Sequence, residues 1–174
     1  MNPNSQSGMR LTHFSLSLYR SLIIGIMDEN RYCYKYPHPA VTADCILIGK
    51  ENGRLHVLLI QRGGEPFKGH WAFPGGFVEI DESCEDGAVR ELEEETGLTG
   101  ISVEQFHTYS TPGRDPRERI ITVSYCALVD GLPAVKGCDD AAAAKWFPLE
   151  DVPHPLAFDH DDMLRDALRF LNLA

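Results

Sequence analysis

The sequence predicts one domain of the mixed α/β class. Apolar runs typical of strands stand on both sides of a strongly helical segment, and a second amphipathic helix closes the chain. A chain of 174 residues suits a single domain whose core needs no disulfide or metal for stability. With 43% hydrophobic and 24% charged residues, the composition is that of an ordinary globular protein.

The first predicted elements form a β-hairpin. Residues 40–48 and 55–61 are apolar runs rich in β-branched residues, and residues 49–54 between them are mostly turn formers. Residues 71–78 follow as short extended pieces. The Pro-Gly-Gly sequence at 74–76 interrupts them, so the backbone there must turn tightly or closely approach another group.

Residues 83–96 are predicted to form a helix. Ser83 and Asp86 have the spacing of a capping box, and Gly97 can take the left-handed conformation that ends a helix. Leu92 contributes to an apolar stripe on one face of this helix.

The second half of the chain contains the remaining predicted elements. Two strands, 101–109 and 119–128, are joined by a proline-containing loop at 110–117, and a short strand is expected at 145–147. The last element is a helix at 161–173, because apolar residues recur at helical spacing. These apolar residues are Met163, Leu164, Leu168 and Leu171.

Composition also restricts the partners and the compartment. The chain has 26 acidic and 16 basic residues, a net charge of −10, which disfavours binding to nucleic acid and to anionic membranes. The five cysteines are odd in number and lack C-x-x-C spacing, which argues against a zinc site or a disulfide framework. We therefore predict a cytoplasmic protein in a reducing environment.

Residues 1–36 are predicted to be an N-terminal extension to a domain at 37–174. The first 27 residues contain five serines and two arginines, and no acid precedes Asp28. Three interpretations remain open for this segment: a targeting sequence, a disordered extension, or a true start at Met27.

Most of the negative charge lies in one short segment. Between Glu79 and Glu95 there are nine acidic residues and one base, a local sum of −8. Glu91, Glu94 and Glu95 share one helix face, where like charges repel each other and the helix dipole disfavours anions. A bound magnesium or manganese ion would reverse this repulsion, since both metals prefer carboxylate oxygens. The alternative is a solvated acidic helix face.

The spacing within residues 76–98 identifies a family. The segment GFVEIDESCEDGAVRELEEETGL fits the pattern G-x5-E-x7-R-E-U-x-E-E-x-G-U, where U is aliphatic, at every fixed position. This pattern resembles the Nudix box of hydrolases that act on a nucleoside diphosphate linked to another moiety. The resemblance extends over roughly residues 38–172. It implies an α/β/α sandwich with a mixed sheet and hydrolysis of a pyrophosphate linkage.

The resemblance also implies a metal site. Glu91, Glu94 and Glu95 would ligate magnesium, with manganese as an alternative, and Gly75 would offer a backbone carbonyl to a metal. The metal would neutralise the pyrophosphate and lower the pKa of a bound water.

Other catalytic roles follow from the same resemblance. Glu94 and Glu95 are assigned to catalysis as well as to the metal, Glu82 is a supporting carboxylate, and Arg90 pairs with box carboxylates. The general base stays open between a box glutamate and Glu118. Many similar sequences have a glutamate in the stretch at which this chain has alanines, residues 141–144.

The substrate is predicted from residues outside the box. Pro112 lies 15 residues after Gly97, a spacing that resembles the ADP-ribose pyrophosphatase subgroup. Arg114 and Arg117 on the same loop are candidates to bind phosphate or ribose, and Arg62 is a further candidate phosphate contact. The alternative is that the prolines shape a turn and both loop arginines are solvated.

Hydrolysis of ADP-ribose to AMP and ribose 5-phosphate is thus the expected activity. Two alternatives stay open: a nucleoside triphosphate pyrophosphohydrolase, and a non-catalytic sensor of ADP-ribose-type ligands. Some sensors are fused to a winged-helix module, for which the roughly 27 residues after the last predicted strand are too few. Many relatives are dimers, so a homodimer is a further expectation.

Overall fold

Within the residues that the computed structural model describes, 34–136 and 141–174, seven strands form one mixed sheet. Residues 38–174 belong to one compact unit. The predicted N-terminal extension lies almost entirely outside the described residues, and so do Cys33 and Cys138. The strands are β1 (Ala40–Glu51), β2 (Arg54–Arg62), β3 (Trp71–Ala72), β4 (Gly75–Phe77), β5 (Glu104–Tyr109), β6 (Ile120–Asp130) and β7 (Ala141–Pro148). The helices are α1 (Cys84–Thr96) and α2 (His160–Phe170), and a single 3-10 turn spans Leu149–Asp151.

Strand β1 is the centre of the sheet. The strand order is β3-β2-β1-β6-β5; β7 adds to β2, and β4 adds to β1. Strands β1 and β6 are parallel along their length, whereas the other pairs are antiparallel. The end of β1 pairs with β2, but its beginning pairs with β4, with Asp44 opposite Gly75. This change of partner brings the loop at Gly75 against the first half of β1.

The two helices cover opposite faces of the sheet. Leu47 of β1 packs in a buried cluster with Leu92 of α1, whereas its neighbour Ile46 packs with Met163 of α2. Successive side chains of a strand point to opposite faces, so α1 and α2 must lie on different sides. The predicted α/β/α sandwich with a mixed sheet is confirmed.

Both predicted caps of α1 are present. The Ser83 hydroxyl oxygen accepts a hydrogen bond from the backbone N–H of Asp86 at 3.1 Å, and the same hydroxyl donates to the Asp86 carboxylate at 2.6 Å. Gly97 adopts φ of 75°, and its N–H donates to the carbonyl of Glu93 at 2.7 Å. Residues local to the helix therefore set both of its ends.

Helix α2 ends three residues earlier than predicted. Asn172 takes the left-handed conformation with φ of 56°, and the Leu173 N–H turns back to the carbonyl of Leu168 at 2.8 Å. This is a Schellman-type end, which the sequence signals only weakly because asparagine stands where glycine is common.

Strand β7 is longer than the predicted segment 145–147. Its alanines pair with the end of β2, with Ala144 opposite Ile60 and Ala141 opposite Arg62. Alanine has little intrinsic strand preference, so the partner strand determines the conformation here.

The cysteines within the described residues form no disulfide. Cys45, Cys84 and Cys126 are free thiols. Burial raises the pKa of the Cys45 thiol above its usual range and that of Cys126 to about 11, so neither is a reactive thiolate at neutral pH.

Over the described segments, no helix is both long enough and apolar enough to cross a bilayer.

The left-handed residue after α1 gives a stability test. A Cβ atom at Gly97 or at Gly64 would meet no atom within 4 Å, but only Gly97 has a positive φ, of 75°. Gly97→Ala should therefore lower the free energy of unfolding by about 1 kcal/mol through backbone strain alone. Gly64→Ala, the matched control, should leave it unchanged or raise it by about 0.5 kcal/mol. Urea denaturation measures both, and equal effects would contradict this explanation.

Candidate active site

Arg90 holds together most of the predicted catalytic carboxylates. Its guanidinium donates to Glu82 at 2.7 and 3.0 Å, to Glu91 at 2.9 Å, and to Glu94 at 3.0 Å. It also donates to the carbonyl of Phe77 at 3.1 Å, which ties α1 to the loop before it. The hydrogen bonds from Arg90 hold the pKa of Glu82 below its usual range. One cation thus offsets the repulsion between three acidic side chains.

The glycine loop lies directly against these carboxylates. The N–H of Gly75 donates to Glu95 at 2.9 Å, and Glu95 is buried. A Cβ atom at Gly76 would lie 2.2 Å from Oε1 of Glu91, and one at Gly75 would lie 2.3 Å from Oδ1 of Asp44. The loop can approach both carboxylates only because neither residue has a side chain.

The donor chemistry of this helix face fits a divalent cation. Glu91 and Glu94 accept hydrogen bonds from the same Nη1 atom of Arg90, so their oxygens already converge on one positive group. Carboxylate oxygens are the donors that magnesium and manganese prefer. Within 34–136 and 141–174, however, no three acidic, histidine or cysteine side chains are placed to hold one metal ion together. The ligand roles of Glu91, Glu94, Glu95 and Gly75 therefore stay predictions.

The side chain of Arg114 is buried and only 5% exposed. Its Nε donates to Oδ2 of Asp159 at 2.8 Å, and its guanidinium also bonds to the hydroxyl of Thr122. Asp159 precedes α2 and makes no side-chain hydrogen bond to cap that helix. The alternative of a solvated arginine is wrong for Arg114, because it joins β6 to the start of α2.

Arg117 and Arg62 both lie beside the ring of Phe158. Arg117 binds Asp115 through two nitrogens, at 2.7 and 3.0 Å, and its guanidinium lies 5.1 Å from the ring centroid of Phe77. It also lies 5.6 Å from the ring of Phe158, and the guanidinium of Arg62 lies 5.0 Å from the same ring. Burial raises the pKa of Asp115, but the hydrogen bonds from Arg117 outweigh that effect and leave the pKa below its usual range.

All three predicted substrate-binding arginines interact electrostatically with Asp44 of β1. Burial raises the pKa of Asp44 to about 7, while the positive charges of Arg114 and Arg62 act to lower it. The hydrogen bonds to Asp115 are the main cause of the raised pKa of Arg117, and the charge of Asp44 adds to it. Glu91 also acts to raise the pKa of Asp44, so both the arginines and the acidic helix influence this buried carboxyl.

His160 fixes the residue that precedes the glycine loop. Its Nδ1 accepts a hydrogen bond from the N–H of Phe73 at 3.0 Å, and the two rings stack with centroids 4.9 Å apart. Burial lowers the pKa of His160 to about 3, so the ring is neutral at pH 7 and its proton is on Nε2. The 3.8 Å separation between Nε2 and Asp44 is therefore a neutral contact and not an ion pair.

The structure adds site residues that the sequence did not reveal. Phe158, Asp159 and His160 belong to no motif and lie at the start of a helix far from the box. Asp44 had a visible signal, because it is an acid inside an apolar strand. Glu118, the alternative base, is exposed, and its charge adds to the raised pKa of Arg117, of which the hydrogen bonds to Asp115 are the main cause.

The sequence matches a known protein family. Residues 38–167 match the model of the NUDIX domain, so the chain belongs to this family. The sequence is 42% identical over 163 residues to an ADP-ribose pyrophosphatase of Methanocaldococcus jannaschii, which covers 91% of this chain and 92% of the relative.

Two further relatives are similar to this chain. An ADPR responsive transcriptional repressor NtrR of Acinetobacter baylyi is 37% identical over 140 residues, which span 79% of this chain and 56% of the repressor. The NUDIX domain of Shewanella oneidensis NrtR, crystallised with ADP ribose, superposes with a TM-score of 0.75 at 35% identity. That match covers 82% of this chain and 95% of the solved chain.

The buried carboxyl of Asp44 predicts a pH effect on stability. Its pKa rises from 3.8 to about 7 on folding, so between these values the folded protein holds a proton that the unfolded chain releases. Wild-type stability should therefore lose a contribution as the pH rises through this window. The free energy of unfolding of Asp44→Asn minus that of the wild type should therefore increase by roughly 1 kcal/mol per pH unit from about pH 4 to 7.

Urea denaturation across this pH range measures the difference between the two proteins. The neutral His160 makes stability fall as the pH drops from 6.5 towards 3, but it is present in both proteins and cancels in the difference. Asp81→Asn removes an exposed carboxylate and should give a curve parallel to the wild type. A parallel curve for Asp44→Asn would refute the buried, protonated carboxyl.

Proposed function

We propose that this protein hydrolyses ADP-ribose to AMP and ribose 5-phosphate in a reaction that requires magnesium. The observation that carries the proposal is the convergence of two oppositely charged groups at the Gly75 loop. Glu95 of α1 accepts the N–H of Gly75, and Asp44, which pairs with Gly75 in the sheet, interacts electrostatically with Arg62, Arg114 and Arg117. A metal-neutralised diphosphate with attached sugars matches such a division of charge.

The name of the relative supports the choice of substrate. The ADP-ribose pyrophosphatase of Methanocaldococcus jannaschii matches over nearly its whole length, and the NUDIX domain of Shewanella oneidensis NrtR was solved with ADP ribose. Pro112, which resembles the ADP-ribose pyrophosphatase subgroup, lies in the same loop as Arg114 and Arg117. These observations favour ADP-ribose over a nucleoside triphosphate.

In this proposal, Glu91, Glu94, Glu95 and the carbonyl of Gly75 hold the magnesium, and manganese is able to replace it. When bound, the metal neutralises the diphosphate and lowers the pKa of a water molecule. The side chain of Glu95 also accepts the Gly75 N–H, which fixes the loop at the reacting centre. Arg90 keeps the carboxylates of α1 together before the metal binds.

The arginines bind and orient the substrate. Guanidinium groups donate two parallel hydrogen bonds to phosphate oxygens, which suits Arg62 and Arg117 at the edge of the site. Hydrolysis then adds one water across the P–O–P linkage. The water oxygen bonds to one phosphorus, the bridging oxygen leaves with the other phosphate, and a box carboxylate accepts the proton. The proposal needs no nucleic-acid partner, and the net charge of −10 opposes one.

A ligand sensor is the second candidate, favoured by the 37% identity to the NtrR repressor. The acidic residues of the box argue for catalysis, because a sensor needs to bind ADP-ribose but not to activate water. The product mixture separates the candidates. AMP with ribose 5-phosphate supports the proposal, and pyrophosphate release from triphosphates supports a triphosphate pyrophosphohydrolase. Binding of ADP-ribose without turnover supports the sensor.

A glutamine substitution tests the acidic site. Glu95→Gln keeps an oxygen that accepts the Gly75 N–H but removes a negative charge from the metal-binding face. We expect kcat/KM for ADP-ribose with magnesium to fall by about 100-fold or more. The fold should be retained, as measured by thermal unfolding.

Glu93→Gln is the matched control for this experiment. Glu93 is exposed on the same helix, and it lies outside the set of predicted ligands. Its substitution should change kcat/KM by less than about twofold. Wild-type turnover by Glu95→Gln, with product identity checked by mass, would contradict the metal-site assignment.

A further inference from the structure

Two like charges meet at one aromatic ring beside the candidate site. The guanidinium carbons of Arg62 and Arg117 both lie within 5.6 Å of the ring centroid of Phe158. Both groups are positively charged, so their mutual repulsion opposes this arrangement. Other contacts must therefore hold the two side chains in place.

Each arginine has an anchor of its own. The Nε of Arg62 donates to the carbonyl of Pro66 at 2.8 Å, and Arg117 binds the buried carboxylate of Asp115 at 2.7 Å. The face of the Phe158 ring adds an attraction for both cations, because its quadrupole presents negative potential to them.

The ring of Phe158 is itself held by a neighbouring aromatic residue. Phe67 packs edge-on against Phe158, with centroids 4.7 Å apart. Both residues have a positive φ, of 63° for Phe67 and 54° for Phe158. Large non-glycine residues rarely adopt this conformation, and such backbone strain persists where the surrounding structure imposes it, often at ligand sites. The two loops that contain these residues are therefore held in position by their contact.

We propose that Phe158 is a positioning residue, whose ring keeps Arg62 and Arg117 as a preformed pair that binds the diphosphate group of the substrate. The inference rests on the proposed function, because it assigns the arginines to the phosphates of the same ligand. Two cations held at one ring match the two anionic phosphates of a diphosphate. An arginine pair ordered before binding loses less side-chain entropy when the ligand arrives.

Inorganic pyrophosphate is the probe, because it contains the diphosphate and no sugar or base. Calorimetric titration in EDTA removes the contribution of the metal and of hydrolysis. Phe158→Leu and Phe158→Met both delete the ring while keeping an apolar side chain, and thermal unfolding checks that each variant is folded. We expect either substitution to raise the Kd for pyrophosphate by about 10-fold. Phe158→Tyr keeps an aromatic face and should stay within about twofold of the wild type.

Phe106→Leu is the matched control. Phe106 is partly buried, and its ring packs on Tyr109 and Phe170 instead of on guanidinium groups. Its substitution should destabilise the protein comparably but change the Kd by less than about twofold. With ADP-ribose and magnesium, Phe158→Leu should raise KM by about 10-fold and leave kcat within about twofold.

Two results would overturn the inference. One is a Kd for both ring-deleted variants no higher than that of Phe106→Leu, and the other is a wild type that does not bind pyrophosphate. A different result separates this inference from the proposed function. If the wild type binds pyrophosphate through Phe158 but leaves ADP-ribose intact, the hydrolase proposal fails and the role of Phe158 is supported.

Discussion

The candidate site depends on the close approach of a glycine loop to β1 and α1. A Cβ atom at Gly75 would lie 2.5 Å from the carbonyl oxygen of Ala43, and one at Gly76 would overlap the carboxylate of Glu91. Because both positions lack a side chain, β4 can take the place of β2 as the partner of β1. The same approach puts the Gly75 N–H within reach of Glu95. Backbone pairing and the position of the acidic helix therefore follow from one steric condition.

Charge is organised around this loop by pairing. The acidic segment between Glu79 and Glu95 has a formal sum of −8, and Arg90 within it contacts three of its carboxylates. Outside this segment, Arg114 pairs with Asp159 and Arg117 pairs with Asp115. Paired groups of this kind keep side chains ordered without a ligand. The excess negative charge that remains on α1 is what a divalent cation would neutralise.

Local sequence patterns predicted the helices well, but they could not predict contacts between residues that are distant in the sequence. The caps of α1 depend on Ser83 and Gly97, which lie next to the helix, and both were visible in the sequence. The pairing of Arg114 with Asp159 joins residues 45 positions apart, and no spacing rule connects them. Asp44 could have been noticed as an acid in an apolar strand, but its arginine neighbours depend on the tertiary fold.

The division of the site between box and non-box residues bears on substrate choice. The family pattern includes the carboxylates of α1 and Arg90, to which the proposed function assigns the reaction at the pyrophosphate linkage. All three arginines near Asp44 lie outside that pattern, and so does Phe158, which Arg62 and Arg117 both contact. Under the proposed function, a chain that kept the box but changed these residues would keep the metal chemistry and lose the shape and charge that select a ligand. The proposal thus assigns selectivity to the loops that pack onto the start of α2, and the reaction to the box.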